Sequence, residues 1–119
     1  MNEQHIYERV GVQDELSLNG LAYTIHDWAK KKGWWENERN KFELIALMHS
    51  ELSECVEFLR KPSQDDHCPE LTGEEAELAD VLIRIFDYCG AYGIDIGRAV
   101  RIKHDYNTNR PYRHGGKLA

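Results

Sequence analysis

Two pairs of acidic residues share one spacing: Glu51 and Glu54 in ELSE, and Glu77 and Asp80 in ELAD. On a helix, residues three apart lie on one face, so each pair projects its carboxylates side by side. Two such pairs on facing helices make an all-oxygen ligand set. That chemistry suits Mg²⁺, with Mn²⁺ as a substitute, because these hard ions keep several waters and bind through a few carboxylates together with substrate phosphates. A di-iron bundle would want Glu-x-x-His, whereas the third residue after Glu51 is Glu54 and the third after Glu77 is Asp80.

A single carboxylate pair in so acidic a chain is an ordinary solvated face. Both pairs here sit where apolar residues are expected. On a wheel of about 100° per residue, Leu44, Ile45, Met48, Leu52, Cys55, Val56 and Leu59 form one arc that continues through Leu47 and Phe58. Glu51 lies inside that arc and Glu54 at its edge, while Glu43 and Glu57 point elsewhere. The segment EEAELADVLIRIFDYCGAY is apolar almost all round, which predicts the most buried helix, yet Glu77, Asp80, Arg84 and Asp87 stack along it in one polar stripe. A buried carboxylate without a counter-charge is costly, so these acids need a cation or a base. Arg84 can serve one of them, not all.

The chain offers a complement of opposite sign. Lys103 and Asn107, one turn apart, fall in the middle of the apolar side defined by Ile96, Ala99 and Val100. Beyond them, YNTNRPYRHGGKLA carries Arg110, Arg113, His114 and Lys117 with no acidic residue, which suits a triphosphate; for the residues after Pro111 a plain basic tail is the alternative. Trp34 and Trp35 in KKGWW can stack on a nucleobase or wall off the site, or serve core or oligomer packing. The dipeptides His26-Asp27 and His104-Asp105 raise the metal-binding His-Asp pair that marks one class of helical phosphohydrolases, but the wheel turns Asp27 and Asp105 away from their helices' apolar faces. His49 falls at a polar margin and reads as structural or supporting.

Four helices must position these groups. Apolar periodicity marks the first at about 18–32, with Gly33 as its stop and the residues before it peripheral. The second, 41–60, opens behind Asn40 with Glu43 three residues on and ends at Lys61-Pro62. Thr72 and Glu75 make a capping box for the third, which runs to Tyr92 and stops at Gly93; Asp95 caps a fourth that reaches about residue 109. The predicted architecture is all-α: a single domain over residues 1–119, with a peripheral N-terminus (1–17), a four-helix bundle-like subunit and a basic C-terminal tail (110–119). Phe42, Phe86 and the tryptophans add to apolar arcs that such a subunit cannot cover alone, which predicts a homo-oligomer.

The ELSE and ELAD segments, with IALMHSELSECVEFLR, EEAELADVLIRIFDYCGAYGIDI and KHDYNTNRPYRHGGK around them, resemble the MazG-like all-α nucleoside triphosphate pyrophosphohydrolases, over roughly residues 18–117. This resemblance implies a homodimer or homotetramer with Mg²⁺ on Glu51, Glu54, Glu77 and Asp80, which form the catalytic centre. It also implies cleavage of an NTP or dNTP to the monophosphate and pyrophosphate, as in nucleotide-pool housecleaning; relatives include dimeric dUTPases and dCTP pyrophosphatases. Lys103, Asn107, Arg110, Arg113 and Lys117, with Arg84 and Trp34, are the candidate substrate contacts. One turn after the last acid, where these enzymes often carry an aromatic or polar residue, this chain has Arg84.

Charge and composition narrow the alternatives. With 15 Lys and Arg against 21 Asp and Glu, a net charge of -6 disfavours nucleic acid polymers and anionic membranes. Neither a membrane span nor a signal peptide is legible, and Cys55, Cys68 and Cys89 show no zinc spacing, so a cytoplasmic protein with reduced thiols is expected. A regulatory bundle that binds nucleotide and metal without turnover is the main alternative. A structural oligomer whose acids pair with Arg84 and Lys103 is another.

Overall fold

Thr72 accepts the backbone N–H of Glu75 at 3.1 Å while the Glu75 carboxylate accepts that of Thr72 at 3.0 Å, so the capping box read from sequence starts the central helix of the protein. A computed structural model describes residues 9–119, apart from the side chain of His114. Its helices are α1 (Val12–Lys31), α2 (Lys41–Arg60), α3 (Gly73–Tyr92), α4 (Ile96–Thr108) and the single turn α5 (Arg113–Gly116). The described residues are thus all-α, with one isolated bridge between Gln64 and Thr72 that closes the loop from α2 to α3. That loop is also pinned by Asp65, whose side chain accepts the backbone N–H groups of His67 and Cys68.

The central position belongs to α3, which packs along both α1 and α2, while α4 lies against α1. It buries Ala76, Glu77, Phe86 and Cys89, more than any other helix, in line with its nearly continuous apolar surface. Ala22, Phe86 and Cys89 form the core with Leu18, Ile25, Ile85 and Ile96 packed around them. Close approach of α1 to α3 depends on Gly90, where an added Cβ would lie 2.5 Å from His26 Cβ and 2.7 Å from the Ala22 carbonyl oxygen. Gly93 ends α3 at φ 64°, in the left-handed region that favours glycine.

Two elements differ from the sequence reading. Helix α1 begins at Val12, six residues before the expected start, although Val12 and Leu16 are exposed. Polar contacts hold this first part: Asp14 accepts the Gly11 N–H at 2.9 Å, and Glu15 accepts Arg101 Nε at 2.7 Å. Apolar periodicity cannot register such a segment. Helix α4 is also turned differently from its wheel. Gly97 faces α1, where a Cβ would meet the Glu15 carbonyl oxygen at 2.5 Å, and its N–H donates to Asn19 Oδ1. Ala99, Val100, Lys103 and Asn107 are therefore exposed. A glycine contact carries no weight on a hydrophobicity wheel, and here it sets the face.

Candidate metal centre and cavity

The stripe along α3 divides into two sites. At its N-terminal part, Glu77 and Asp80 meet Glu51 of α2, and one carboxylate oxygen from each lies within 4.8 Å of the others. Glu77 is only 8% exposed, and its Oε2 is buried without a hydrogen-bond partner among the described residues. Such an atom is a site of unmet demand, since a buried polar group left unpaired costs about 1–3 kcal/mol. Burial, then bonding with Glu51 and Glu54 and the repulsion of their charges, pushes the Glu77 carboxyl up to about 8. Burial raises Asp80 as well, with the charge of Glu51 adding to it. Burial also acts upward on Glu51, but bonds from Glu77 and Arg84 and the Arg84 charge outweigh it and hold that carboxyl below its usual range. The two neighbouring carboxyls are therefore driven apart, Glu77 holding its proton more tightly than Glu51.

Three of the four expected ligands come together in this way. Glu54 is exposed and stands outside the group of three, though it is near enough to act on Glu77. Arg84 donates from Nε and Nη2 to the same oxygen, Glu51 Oε1, at 3.0 and 2.9 Å. A cavity of about 440 Å³ opens over the cluster, within the usual range for a small-molecule site. Ile25, Ala29, Leu47 and Ile83 supply its apolar surface, Trp28 and Trp34 its aromatic surface, and Glu51, Asp80 and Arg84 its charged end, with Asp87 and Arg39 also on its wall. Trp34 is 60% exposed.

At the other end of the stripe, Asp87 is fully engaged. His26 Nδ1 lies 2.8 Å from Asp87 Oδ1, and Trp35 Nε1 donates to Oδ1 at 3.0 Å and Oδ2 at 3.2 Å. The Trp35 ring meets His26 and Tyr92 edge-on at 5.3 and 5.9 Å, and the Arg39 guanidinium lies 5.1 Å from its centre. This clasp ties the segment after α1 to α3, and with it Trp34 and Arg39, both of which line the cavity. It also separates the His26-Asp27 dipeptide, because Asp27 turns to Lys31 at 2.9 Å. Sequence reasoning placed Asp87 in the stripe but missed its partners and Arg39; the signal was a stripe with more acids than its one cation, Arg84, can serve.

The remaining candidates lie apart from the cavity. Lys103 and Asn107 are exposed on α4, and Lys103 and Arg110 flank the Tyr106 ring at 5.1 and 5.5 Å. Arg113 and Lys117 belong to the last turn and are exposed. None of these five lines the cavity within one chain. His49 is exposed on α2. The donor set of Glu51, Glu77 and Asp80, with an orphaned buried oxygen among them, fits a hard divalent cation. No known protein family, curated protein or solved structure matches the chain.

Proposed function

We propose that the protein is a Mg²⁺-dependent nucleoside triphosphate pyrophosphohydrolase, taking an NTP or dNTP and water to the monophosphate and pyrophosphate. The observation that carries this reading is Glu77 Oε2, buried and unpartnered among three converging carboxylates beside a cavity of about 440 Å³. Glu51, Glu77 and Asp80 would hold the cation, with Glu54 joining them from the exposed edge. Once bound, Mg²⁺ supplies positive charge for the phosphate oxygens and acidifies the attacking water. The chain's own part is to orient and exclude: the carboxylates position water for attack at the α-phosphorus and accept its proton. The apolar and tryptophan surfaces take the base, and Arg84 stands at the charged end for the phosphates.

A homodimer or homotetramer belongs to the same proposal. Ile45, Leu52, Val56 and Leu59 of α2 and Leu78 and Leu82 of α3 are exposed. The radius of gyration is 17.1 Å, against about 13.5 Å for a compact domain of this length. A second copy covers that surface and is the natural source of Lys103, Asn107 and Arg110 for the site. Among the described residues no helix is long and apolar enough to cross a membrane, and Cys55, Cys68 and Cys89 are free thiols. A cytoplasmic location, with small nucleotides rather than membranes or nucleic acid polymers as partners, belongs to the same proposal.

A panel of ribo- and deoxyribonucleoside triphosphates with Mg²⁺, assayed for wild type, Glu51→Gln and Asp80→Asn, tests the reading. Monophosphate and pyrophosphate from wild type alone are expected; diphosphate and phosphate would move the attack to the γ-phosphorus. Binding without turnover is the second reading, favoured by the placement of the α4 bases outside the cavity. Retained nucleotide with no product would establish it.

A further inference from the structure

Arg84 differs from the other paired cations of the described residues. Lys31, Arg60 and Arg101 each pair on surfaces away from the cavity, whereas Arg84 both lines the cavity and pairs with a member of the three-carboxylate group. Its pairing is incomplete in form. Both donors converge on Glu51 Oε1, so the second parallel bond of a bidentate arginine–carboxylate pair is not made. The guanidinium is also the freer partner, with its side chain 36% exposed against 12% for Glu51. Its hydrogen bonds reach Glu51 and not Glu77 Oε2, which has no hydrogen-bond partner among the described residues.

We propose that Arg84 is a movable counter-ion: it neutralises Glu51 in the free protein, yields that carboxylate when a divalent cation arrives, and turns to the phosphates of the incoming substrate. The inference rests on the metal-binding reading above and extends it. A guanidinium within hydrogen-bond distance of a metal ligand repels the cation, so Arg84 opposes metal binding while the cavity lacks an anion. An anion that takes over the guanidinium removes this opposition. Metal and phosphate therefore bind cooperatively, each strengthening the other by the same factor.

The experiment uses the full chain, Mg²⁺ alone, and inorganic tripolyphosphate as a base-free anion, with affinities from calorimetry for wild type and Arg84→Gln. Losing the positive charge should tighten binding of Mg²⁺ alone by about tenfold, weaken tripolyphosphate at saturating Mg²⁺, and shrink the cooperativity between them. In wild type, nitrogen-edited NMR should show the Arg84 Nε–H losing its carboxylate-bonded shift as Mg²⁺ saturates, a readout independent of whether the variant folds. Unchanged or weaker Mg²⁺ binding by Arg84→Gln, or an Nε–H signal indifferent to Mg²⁺, overturns the hand-over while leaving the metal centre standing. If wild type binds no Mg²⁺ even with tripolyphosphate, the metal centre and the hand-over both fall.

Discussion

The two ends of the polar stripe on α3 use the same residue types to opposite ends. Asp87 meets two donors from the α1 side, His26 and Trp35, and every partner in that cluster is supplied by the chain. Glu77 and Asp80, three and two turns earlier, meet another carboxylate, and one buried oxygen has no hydrogen-bond partner among the described residues. The sites share a helix and a face, so the difference lies in what the opposing element brings. Where α1 presents donors, an acid is a fastener; where α2 presents Glu51, the acids are a demand for something from outside. On the proposed reading, completeness of partnering, more than burial or charge, separates the fastening acid from those that would hold a cation.

The largest test of that contrast is to neutralise each end in turn. Glu77→Gln or Asp80→Asn should lower pyrophosphate release by on the order of 10³-fold. The metal-free fold should lose nothing at neutral pH and gain where carboxylates repel one another. An inactive but unfolded Glu77→Gln protein would show that the two ends are alike.

The pH dependence of stability separates them next. Glu77, raised from 4.5 to about 8, contributes stability that is fully present below its unfolded value and is lost as pH rises toward 8. Glu51, lowered, acts in the reverse sense, and its contribution is lost as pH falls below the usual carboxylate range. Metal-free unfolding free energy should therefore decline from about pH 5 to 8, at up to ~1.4 kcal/mol per pH unit for one proton. Saturating Mg²⁺ should flatten that slope and release close to one proton at pH 7, visible by calorimetry in buffers of different ionisation enthalpy. Urea titrations at pH 5 and 8 check the slope, and Glu77→Gln should abolish most of it.

Removing the fastener should have the complementary result. Asp87→Ala leaves the Trp35 N–H and the His26 ring without their acceptor, a loss of about 2–3 kcal/mol, read as a lower urea midpoint. Turnover per folded molecule should persist, with a raised KM because Trp34 and Arg39 are no longer tied to α3.

Which parts of this were legible in the sequence follows from what a sequence encodes locally. The Thr72–Glu75 cap, the bounds of α2 and the stripe on α3 depend on spacing within one helix, and the acid spacing brought Glu51, Glu77 and Asp80 to one another. Contacts between helices were less accessible. Gly97 sets the face of α4 by permitting backbone approach to Glu15, so Lys103 and Asn107 point outward instead of inward. The early start of α1 rests on Glu15 and Arg101, 86 residues apart. The Asp87 clasp likewise joins residues 61 and 52 positions away, across three elements of chain. Periodicity detects apolar faces; it has no term for a glycine contact or a long-range ion pair.

The smallest expected effect is the sharpest discriminator, because it sets two adjacent and chemically identical residues against each other. Trp35 is half-buried and bonded to Asp87, whereas Trp34 is exposed at the cavity. Trp35→Ala should cost stability comparable to Asp87→Ala, since it removes the donor and the ring packed against His26 and Tyr92. Trp34→Ala should move the unfolding midpoint by less than ~0.5 kcal/mol, as surface substitutions do. It should weaken nucleotide binding by about fivefold, on the scale of ~1 kcal/mol for one aromatic–base contact. Fluorescence quenching by nucleotide should fall to the share that Trp28 contributes when Trp34 is lost, and survive the loss of Trp35. If Trp34→Ala instead destabilises the chain and leaves affinity unchanged, the cavity side of the segment after α1 belongs to packing, and the division of α3 into a fastened end and a demanding end would have to be drawn closer to Asp80.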